Sequence, residues 1–431
     1  MFTVIPCAQQ ELQATTKAPQ IYTAGFCLIG LYLFLFYSRL QDSLDYLHLP
    51  MVILAMATIA LFTSGSAMVF HRRIILWMSL FTVCIAASIP FSVWPSGASD
   101  KFVNIWLKSA WAFVLVSGLV RTPEQVMRAC SCIAVASIFQ PLFTIVSNSV
   151  QLGRLGGISV TFQDANYFAQ FLLVGMCFLL FYATKPGRPL LLRMAAVVAL
   201  ALELVSFLRT GSRGGLIGLF TVLALWFFKT SARTRLILIT AGIVGVPLAI
   251  HIFPESMSRY STIFETKSAS SDDASDEAAA IAEASAEARQ YLLIQSLRIT
   301  FQHPIFGIGM GMFDVAEDDL ARERGLPKGS WHDTHNMFTQ VSSEAGIPAL
   351  ICFLFVLGYA FKGLNRSLKL SYIAKNGSMR DVAHTAFWLR LALVSMLSSG
   401  IFLNIAYTQN LHILVALASA LGAATASEGI F

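Results

Sequence analysis

The residues best suited to chemistry in this chain form the stretch Trp331–Phe338, which holds two histidines, an aspartate and an asparagine. His332 and His335 lie about one helical turn apart, and Asp333 lies where its carboxylate can orient either imidazole ring. Apolar segments flank this polar stretch, which returns to apolar sequence through Ser343–Pro348. Ionisable groups at a membrane boundary are expensive to keep, so the stretch is a candidate site. The alternative is a polar loop with two ordinary surface histidines.

A second candidate group consists of arginines beside glycine-rich turns. Arg209 and Arg213 flank a tight turn, and two glycines follow at the start of another apolar segment. The exposed N–H groups and positive dipole end of such a helix start suit an anion, and arginine makes bidentate contacts to phosphate. Arg154 stands in a glycine-rich run ahead of Gln163–Asn166. The alternative for these arginines is that they snorkel to lipid headgroups.

The elements that must position these residues are membrane-spanning helices. The chain is 56% hydrophobic and only 13% charged, whereas soluble domains carry about 25% charge. Apolar runs near the length needed to cross a hydrocarbon core of about 30 Å recur along it. The sequence predicts about twelve spans, at 21–38, 48–70, 74–95, 102–120, 126–147, 165–184, 190–208, 211–229, 235–254, 347–362, 384–405 and 407–426. The two pairs 190–208/211–229 and 384–405/407–426 are predicted to be joined by very short turns.

The distribution of Lys and Arg predicts the orientation of these spans. Alternate short loops are basic, and the richest holds Lys362, Arg366, Lys369, Lys375 and Arg380. Because Lys and Arg accumulate on the cytoplasmic side, both termini are predicted to be cytoplasmic and the 255–346 loop to lie outside. The predicted organisation is therefore spans one to nine in 1–254, an outer loop in 255–346 and spans ten to twelve in 347–431. The net charge of +6 is a topology signal, and nothing resembles a nucleic-acid-binding patch.

The long loop has two parts with different patterns. Residues 268–288 are acidic and rich in Ala and Ser, which predicts a flexible strand or a marginal helix. From Arg289 onward an amphipathic helix is predicted, with Arg289 and Arg298 on its polar positions and its end at His303-Pro304. The glycine-punctuated run Ile305–Phe313 follows. No βαβ pattern surrounds that run, so it is interpreted as a loop on the membrane surface and not as a nucleotide-binding loop.

Three of these segments together resemble the bacterial O-antigen ligase and O-antigen polymerase family. They are Arg209–Gly215, the His303-Pro304…Gly307-Ile308-Gly309 turn, and His335-Asn336 followed by Glu344–Pro348. Their order, spacing and placement before the last three spans match, and the resemblance covers roughly residues 150–365. It implies a GT-C-like membrane fold that transfers glycans from undecaprenyl diphosphate at the periplasmic face of the inner membrane, without a metal or nucleotide sugar. Asp164-Ala165-Asn166 departs from the Pro-containing form of its motif, which leaves the role of Asp164 open.

The chemistry of such a transfer assigns roles to the candidate residues. The leaving diphosphate needs cations, predicted to be Arg213 and Arg289, and the acceptor hydroxyl needs a base. His335 is predicted to be that base because a histidine side chain ordinarily titrates near neutrality and the family's His-Asn pairing favours it. His332 is the alternative base, and a helix-capping role is the alternative for His335. The further predicted substrate-binding residues are Arg154, Arg209, Asn166, Arg298, Asn336 and His332.

No metal site and no cofactor are predicted. The acidic residues at 272–287 lie in low-complexity sequence, and Asp333 and Glu344 are isolated in the sequence, so no carboxylate cage for a divalent ion is evident. The predicted partners are an undecaprenyl-diphosphate-linked glycan donor, a lipid A–core or glycan acceptor, and membrane lipids.

Three functions fit these observations. The first is a ligase that attaches a lipid-linked polysaccharide to lipid A–core. The second is a polymerase or a protein O-glycosyltransferase that uses the same donor. The third is a secondary transporter or flippase, which is disfavoured because the two halves show no self-similarity and the notable charges lie at the predicted outer boundary.

The predicted topology is testable by cysteine labelling. Ser270→Cys should react with a membrane-impermeant thiol reagent in intact cells whose outer membrane has been permeabilised, because the basic loops place residues 255–346 outside. Protection of this cysteine would invert the topology and remove the case for a periplasmic donor.

Overall fold

The computed structural model describes residues 23–43, 47–64, 69, 72–147, 150–151, 154–157, 164–261, 273–323, 333–374 and 377–428. Helices dominate this part of the chain. A two-stranded antiparallel ribbon, β1 (Val150–Gln151) and β2 (Arg154–Leu155), pairs Gln151 with Arg154 and precedes the ninth helix.

The helices before the ribbon are α1 (Ala24–Ser38), α2 (Leu40–Ser43), α3 (Leu49–Thr63), α4 (Arg73–Ser88), α5 (Pro95–Lys101), α6 (Leu107–Leu119), α7 (Pro123–Ser137) and α8 (Phe139–Ser147). A 3₁₀ turn (Ile89–Phe91) follows α4, and a π-helical segment (Phe102–Trp106) joins α5 to α6. The helices after the ribbon are α9 (Ala165–Thr184), α10 (Leu190–Arg209), α11 (Arg213–Lys229), α12 (Ala232–Ile252), α13 (Pro254–Ser261), α14 (Asp273–Gln302), α15 (Phe313–Glu323), α16 (Met337–Ala374), α17 (Gly377–Gly400) and α18 (Gln409–Glu428).

The helices confirm an all-α polytopic membrane protein. Among the described residues, nine helical stretches are long and apolar enough to cross a membrane, and α1 and α3 are apolar but shorter. The predicted number of twelve spans stays a prediction. One predicted connection is wrong: residues 401–408 form a loop between α17 and α18 where a very short turn was expected. The predicted turn between α10 and α11 is present.

Helix α9 lies at the centre of the packing that positions the candidate residues. It contacts α7, α10, α11 and α17, while α16 contacts α4, α17 and α18. Four α9 phenylalanines are fully buried, namely Phe168, Phe171, Phe178 and Phe181. Burial of such large aromatic groups fixes α9 within the bundle, and with it the polar residues at its start. Helix α12, in contrast, has no buried residue.

The segment between α12 and α16 is built around α14, which packs against α16. Leu292 and Ile299 form a small apolar cluster with residues of the following turn and α15, and the Thr300 and Ser342 hydroxyls are 2.8 Å apart. The helix begins at Asp273, so residues 273–288 of the acidic stretch are helical, as in the second of the two predicted alternatives. Its end at Gln302, before Pro304, agrees with the predicted stop.

The glycine turn after α14 docks on a bend in α16. The Ile308 N–H donates to Ser343 O at 3.0 Å and the Gly309 N–H donates to Glu344 O at 2.9 Å. Gly307 has a φ of 67°, and a Cβ there would overlap the backbone of Glu344. Helix α16 bends at Gly346, whose φ is 86° and where a Cβ would overlap the Ile305 carbonyl. Only glycine permits this approach of two backbones, which fixes α14 relative to α16.

Replacing Gly307 should therefore destabilise the protein more than replacing an open glycine. Gly307→Ala introduces left-handed strain of about 1–2 kcal/mol in addition to the backbone overlap, so the apparent melting temperature in detergent should fall. Gly358→Ala is the matched control, because a Cβ at this α16 position meets nothing within 4 Å. Equal melting temperatures for the two variants would contradict the docking of the turn.

Candidate active site

The turn between α10 and α11 places Arg213 at the first position of a helix that lies close to α9. Ser212 caps α11 by accepting a hydrogen bond from the Gly215 N–H at 3.2 Å, and Gly211 has a φ of 58°. A Cβ on Gly215 would lie 3.0 Å from the Ala169 Cβ, so glycine is needed for this close packing. The glycines after the predicted turn thus correspond to a tightly packed helix start, and Ser212 is its cap.

Hydrogen bonds tie this turn to the ribbon and to the start of α9. Arg154 Nε donates to Thr210 O at 2.8 Å, and Arg154 Nη2 donates to Asn166 Oδ1 at 2.9 Å. The Ser212 hydroxyl donates to the same Asn166 oxygen at 2.9 Å. The predicted residues Arg154 and Asn166 therefore lie together in the structure. Their hydrogen bonds fix the turn that carries Arg213.

Charge interactions link four arginines at this turn, and we call Arg154, Arg213, Arg259 and Arg289 the arginine cluster. The charge of Arg154 interacts with the charges of Arg259 and Arg289. A Cβ on Gly211 would lie 3.2 Å from Arg259 Cδ and 3.9 Å from Arg154 Nε. The charge of Arg213 interacts with the charges of Arg289 and Arg259. Arg289 comes from α14 and Arg259 from α13, so the cluster joins residues that are far apart in the sequence.

The cluster is positive and partly withdrawn from solvent. Burial, together with the charge of Arg259, lowers the pKa of Arg154 to about 10, while Asp164 opposes the shift. Burial likewise lowers the pKa of Arg289, again opposed by Asp164. Asp164 also caps α9, since its Oδ1 accepts from the Asn166 N–H at 2.6 Å. Several guanidinium groups gathered at one turn form a site that suits a multiply charged anion.

Arg259 is the member of the cluster that the sequence analysis did not identify. It lies on α13, where no glycine turn or amphipathic pattern draws attention to it. The adjacent Tyr260 anchors α13 to the end of α10, because its hydroxyl donates to Leu208 O at 3.3 Å. Burial raises the pKa of Tyr260 to about 12, so this donor stays protonated at neutral pH. The available signal was an arginine in a predicted outer segment, where the sorting rule disfavours basic residues.

Two of the predicted arginines are not brought to the cluster. Arg298 is exposed, and at 3.6 residues per turn it points about 180° away from Arg289 around the axis of α14. Arg209 lies in the last turn of α10, and among the described residues no hydrogen bond or ion pair joins it to the cluster. Their predicted roles in substrate binding stay predictions.

His335 and Asn336 lie at the start of α16. His335 is partly exposed and adopts a left-handed backbone conformation with a φ of 49°. Asn336 Oδ1 accepts from the Phe338 and Thr339 N–H groups at 2.9 and 3.1 Å, so Asn336 caps the helix. This capping accounts for an asparagine at that position without a substrate contact. The alternative base, His332, lies outside the described residues.

The loop 401–408 connects the histidine segment with the arginine cluster. Asn404 Oδ1 accepts from the Thr334 hydroxyl at 2.7 Å, and a Cβ on Gly214 would lie 3.2 Å from Phe402 Cβ. The Tyr167 hydroxyl donates to Asn404 O at 3.5 Å and lies within Coulomb range of both Asp164 and Asp333. The cluster and His335 therefore lie at the same end of the helix bundle, on either side of one loop.

Glu344 supports this arrangement from inside the protein. Its side chain is buried, Oε2 accepts from the Gly311 N–H at 2.8 Å, and its charge acts on the Tyr407 hydroxyl. The carboxylate thus joins α16 to the glycine turn. Within the described ranges, no group of three or more His, Cys, Asp or Glu side chains is placed to hold a metal ion.

Most of the residues of this site lie in a region that is similar to a known protein family. Residues 196–354 match a family model described as O-antigen ligase, and this match confirms the family resemblance inferred from the sequence. The matched region runs from α10 through the cluster residues Arg213, Arg259 and Arg289 to His335 and the first part of α16. No curated protein matches the chain. The chain is thus a multi-pass membrane protein in which residues 196–354 are similar to the O-antigen ligase family.

The arginine cluster should bind inorganic diphosphate. Charge-assisted hydrogen bonds contribute about 1.5–3 kcal/mol each, so Arg259→Ala and Arg289→Ala should each weaken diphosphate binding by about 10- to 100-fold. Titration calorimetry on the purified protein at fixed ionic strength measures this affinity. Arg298→Ala is the control on the same helix as Arg289, and its affinity should equal that of the wild type. A loss in Arg298→Ala as large as that in Arg289→Ala would contradict the assignment.

Proposed function

We propose that this protein is an O-antigen ligase-type glycosyltransferase that moves a glycan from undecaprenyl diphosphate to lipid A–core. The reaction takes place at the periplasmic face of the bacterial inner membrane, on the side to which the positive-inside bias assigns residues 255–346. The observation that carries the proposal is the arginine cluster, which lies at the same end of the bundle as His335 in a chain similar over residues 196–354 to the O-antigen ligase family.

The arginine cluster holds the diphosphate of the donor. Burial disfavours the charged forms of Arg154 and Arg289, and the charges of Arg259 and Arg289 add repulsion at Arg154, so an anion that binds among these residues relieves an existing electrostatic cost. Guanidinium groups present fixed pairs of N–H donors that match phosphate oxygens. As the bond between the anomeric carbon and the diphosphate oxygen breaks, negative charge develops on that oxygen and the cluster stabilises it. Arg213 and Arg289 make these contacts, while Arg154 and Asn166 hold the turn.

His335 accepts the proton of the acceptor hydroxyl. The hydroxyl oxygen attacks the anomeric carbon of the donor glycan, forms the new glycosidic bond and transfers its proton to the neutral imidazole. The diphosphate leaves on its lipid carrier, so the transfer is balanced without a co-reactant. His335 precedes the cap of α16, and the 401–408 loop joins that cap to the helix start of Arg213. This shared support fixes the base relative to the cations.

Gel analysis of lipopolysaccharide after deletion of the gene tests the proposed function. Loss of the whole ladder with accumulation of lipid-linked polymer is the expected result for a ligase. A single repeat unit on the core would assign the polymerase function, which needs the same donor chemistry. An unchanged ladder and no accumulated polymer would overturn both.

The role of His335 predicts separate effects on turnover and on donor binding. His335→Ala should lower turnover by about 10²- to 10⁴-fold, because that is the usual contribution of general-base assistance, with donor affinity largely retained. Both quantities should be measured on the same purified variants. His335→Gln is the matched variant, since it can hydrogen-bond but cannot take up the proton. Full turnover in His335→Gln would make the residue a hydrogen-bonding support and place the base elsewhere.

The proposed mechanism needs no divalent ion. Because arginines neutralise the leaving diphosphate, transfer in purified membranes should survive treatment with EDTA. The measurement is the initial rate before and after chelation, with re-addition of single divalent ions as the control. Complete loss of activity, restored by one specific ion, would contradict the prediction and make Asp164, Asp333 and Glu344 the residues to test as ligands.

A further inference from the structure

The helix α14 carries two apolar stripes, of which only one is packed inside the protein. Leu292, Ser296 and Ile299 face the interior. A second stripe is exposed, with Leu297 at 41% and Phe301 at 74% of their accessible surface. Residues one and two turns apart lie on the same side of a helix, so these side chains form one surface. The exposed stripe comprises Leu293, Ile294, Leu297 and Phe301, and it continues into Ile305 and Phe306 beyond the end of the helix.

This exposed stripe lies at the boundary of the membrane. Phe306 stacks on Phe91 with ring centroids 4.1 Å apart, and the Val93 N–H donates to Ile308 O at 3.1 Å. Phe91 and Val93 follow directly after α4, within or just beyond a helical stretch that can span the membrane. The exposed indole of Trp94 is next to them, and tryptophan is enriched where the headgroups meet the acyl chains. The stripe is therefore level with the lipid headgroups at this end of the bundle.

A cation flanks the stripe. Arg298 is exposed beside Leu297, and within the described part of the chain no carboxylate pairs with it. At the depth of the headgroups, this guanidinium can bind the phosphate of a lipid while the apolar stripe contacts its acyl chains. The opposite side of the same helix carries Arg289 into the arginine cluster. Arg289 precedes Arg298 by nine residues, which is about 13 Å along the axis of α14, so a lipid headgroup held at Arg298 lies about 15–20 Å from the cluster.

We propose that the exposed stripe of α14, together with Arg298, binds the lipid anchor of the acceptor, an anionic glycolipid with acyl chains in the outer leaflet. This inference rests on the proposed function, since the acceptor sugar must reach the donor at the arginine cluster. The two arginines of α14 then bind different substrates. Arg298 contacts a phosphate of the acceptor, and Arg289, on the opposite side of the helix, contacts the diphosphate of the donor.

Kinetics with the purified full-length chain in lipid vesicles test the proposal. Transfer from a lipid-diphosphate-linked glycan is measured while lipid A–core is varied at saturating donor, and then with the two substrates exchanged. The variants are Phe301→Gln and Arg298→Ala. Phe228→Gln is the control, because Phe228 is 72% exposed and lies at the opposite end of the bundle, at the end of α11.

The expected result is a rise of about 10-fold in the KM for lipid A–core in both variants, the effect of losing one charge-assisted or apolar contact. The KM for the donor and the turnover at saturating acceptor should stay at wild-type values, as should every constant of Phe228→Gln. An unchanged acceptor KM in Phe301→Gln and Arg298→Ala would overturn the proposal. A fall in turnover without a change in acceptor KM would also overturn it, because it would mean that the stripe only positions α14. No transfer to lipid A–core by the wild type would instead refute the proposed function itself.

Discussion

Repulsion between guanidinium groups is the constraint on which the rest of this structure depends. Four arginines drawn from the ribbon and from three helices would separate unless the surrounding elements held them. The hydrogen bonds from Arg154 to Thr210 and Asn166, and from Ser212 to Asn166, provide that restraint at the turn before α11. Asp164 offsets part of the repulsion. The site keeps a positive charge that an anionic substrate can complete, and this explains why arginines accumulate in a chain that is otherwise poor in charge.

A second restraint fixes the segment that brings in Arg289. The glycine turn after α14 contacts the bend of α16 through backbone hydrogen bonds that tolerate no Cβ at Gly307 or Gly346. The same helix α16 begins two residues after His335, and Glu344 binds the turn through the Gly311 N–H. The distance between the base and the cations is therefore set by backbone contacts, which are more rigid than long side chains. Catalysis that depends on positioning needs this rigidity.

Features that depend only on neighbouring residues, such as helix starts and helix ends, could be predicted from the sequence. Apolar length predicted the membrane-spanning helices, and the glycines after Arg213 predicted the helix start at this residue. The proline after His303 predicted the end of α14. Arg259 escaped prediction because its position depends on how α13 packs against the end of α10, a tertiary contact with no sequence period. The 401–408 loop was mistaken for a short turn because its residues are nearly as apolar as the spans beside it. The sequence placed both Arg289 and Arg298 on polar positions of one predicted helix. In α14 the two residues point to opposite sides of the helix axis, so only Arg289 reaches the cluster.

In the proposed mechanism, a lipid-linked diphosphate binds among Arg213, Arg259 and Arg289. Electron cryo-microscopy of the protein in lipid nanodiscs with a non-transferable undecaprenyl diphosphate analogue shows where the diphosphate binds. We expect diphosphate density within hydrogen-bonding distance of at least two of these guanidinium groups, with the anomeric position facing His335. Diphosphate density at the opposite end of the bundle, with the arginine cluster unoccupied, would contradict this mechanism.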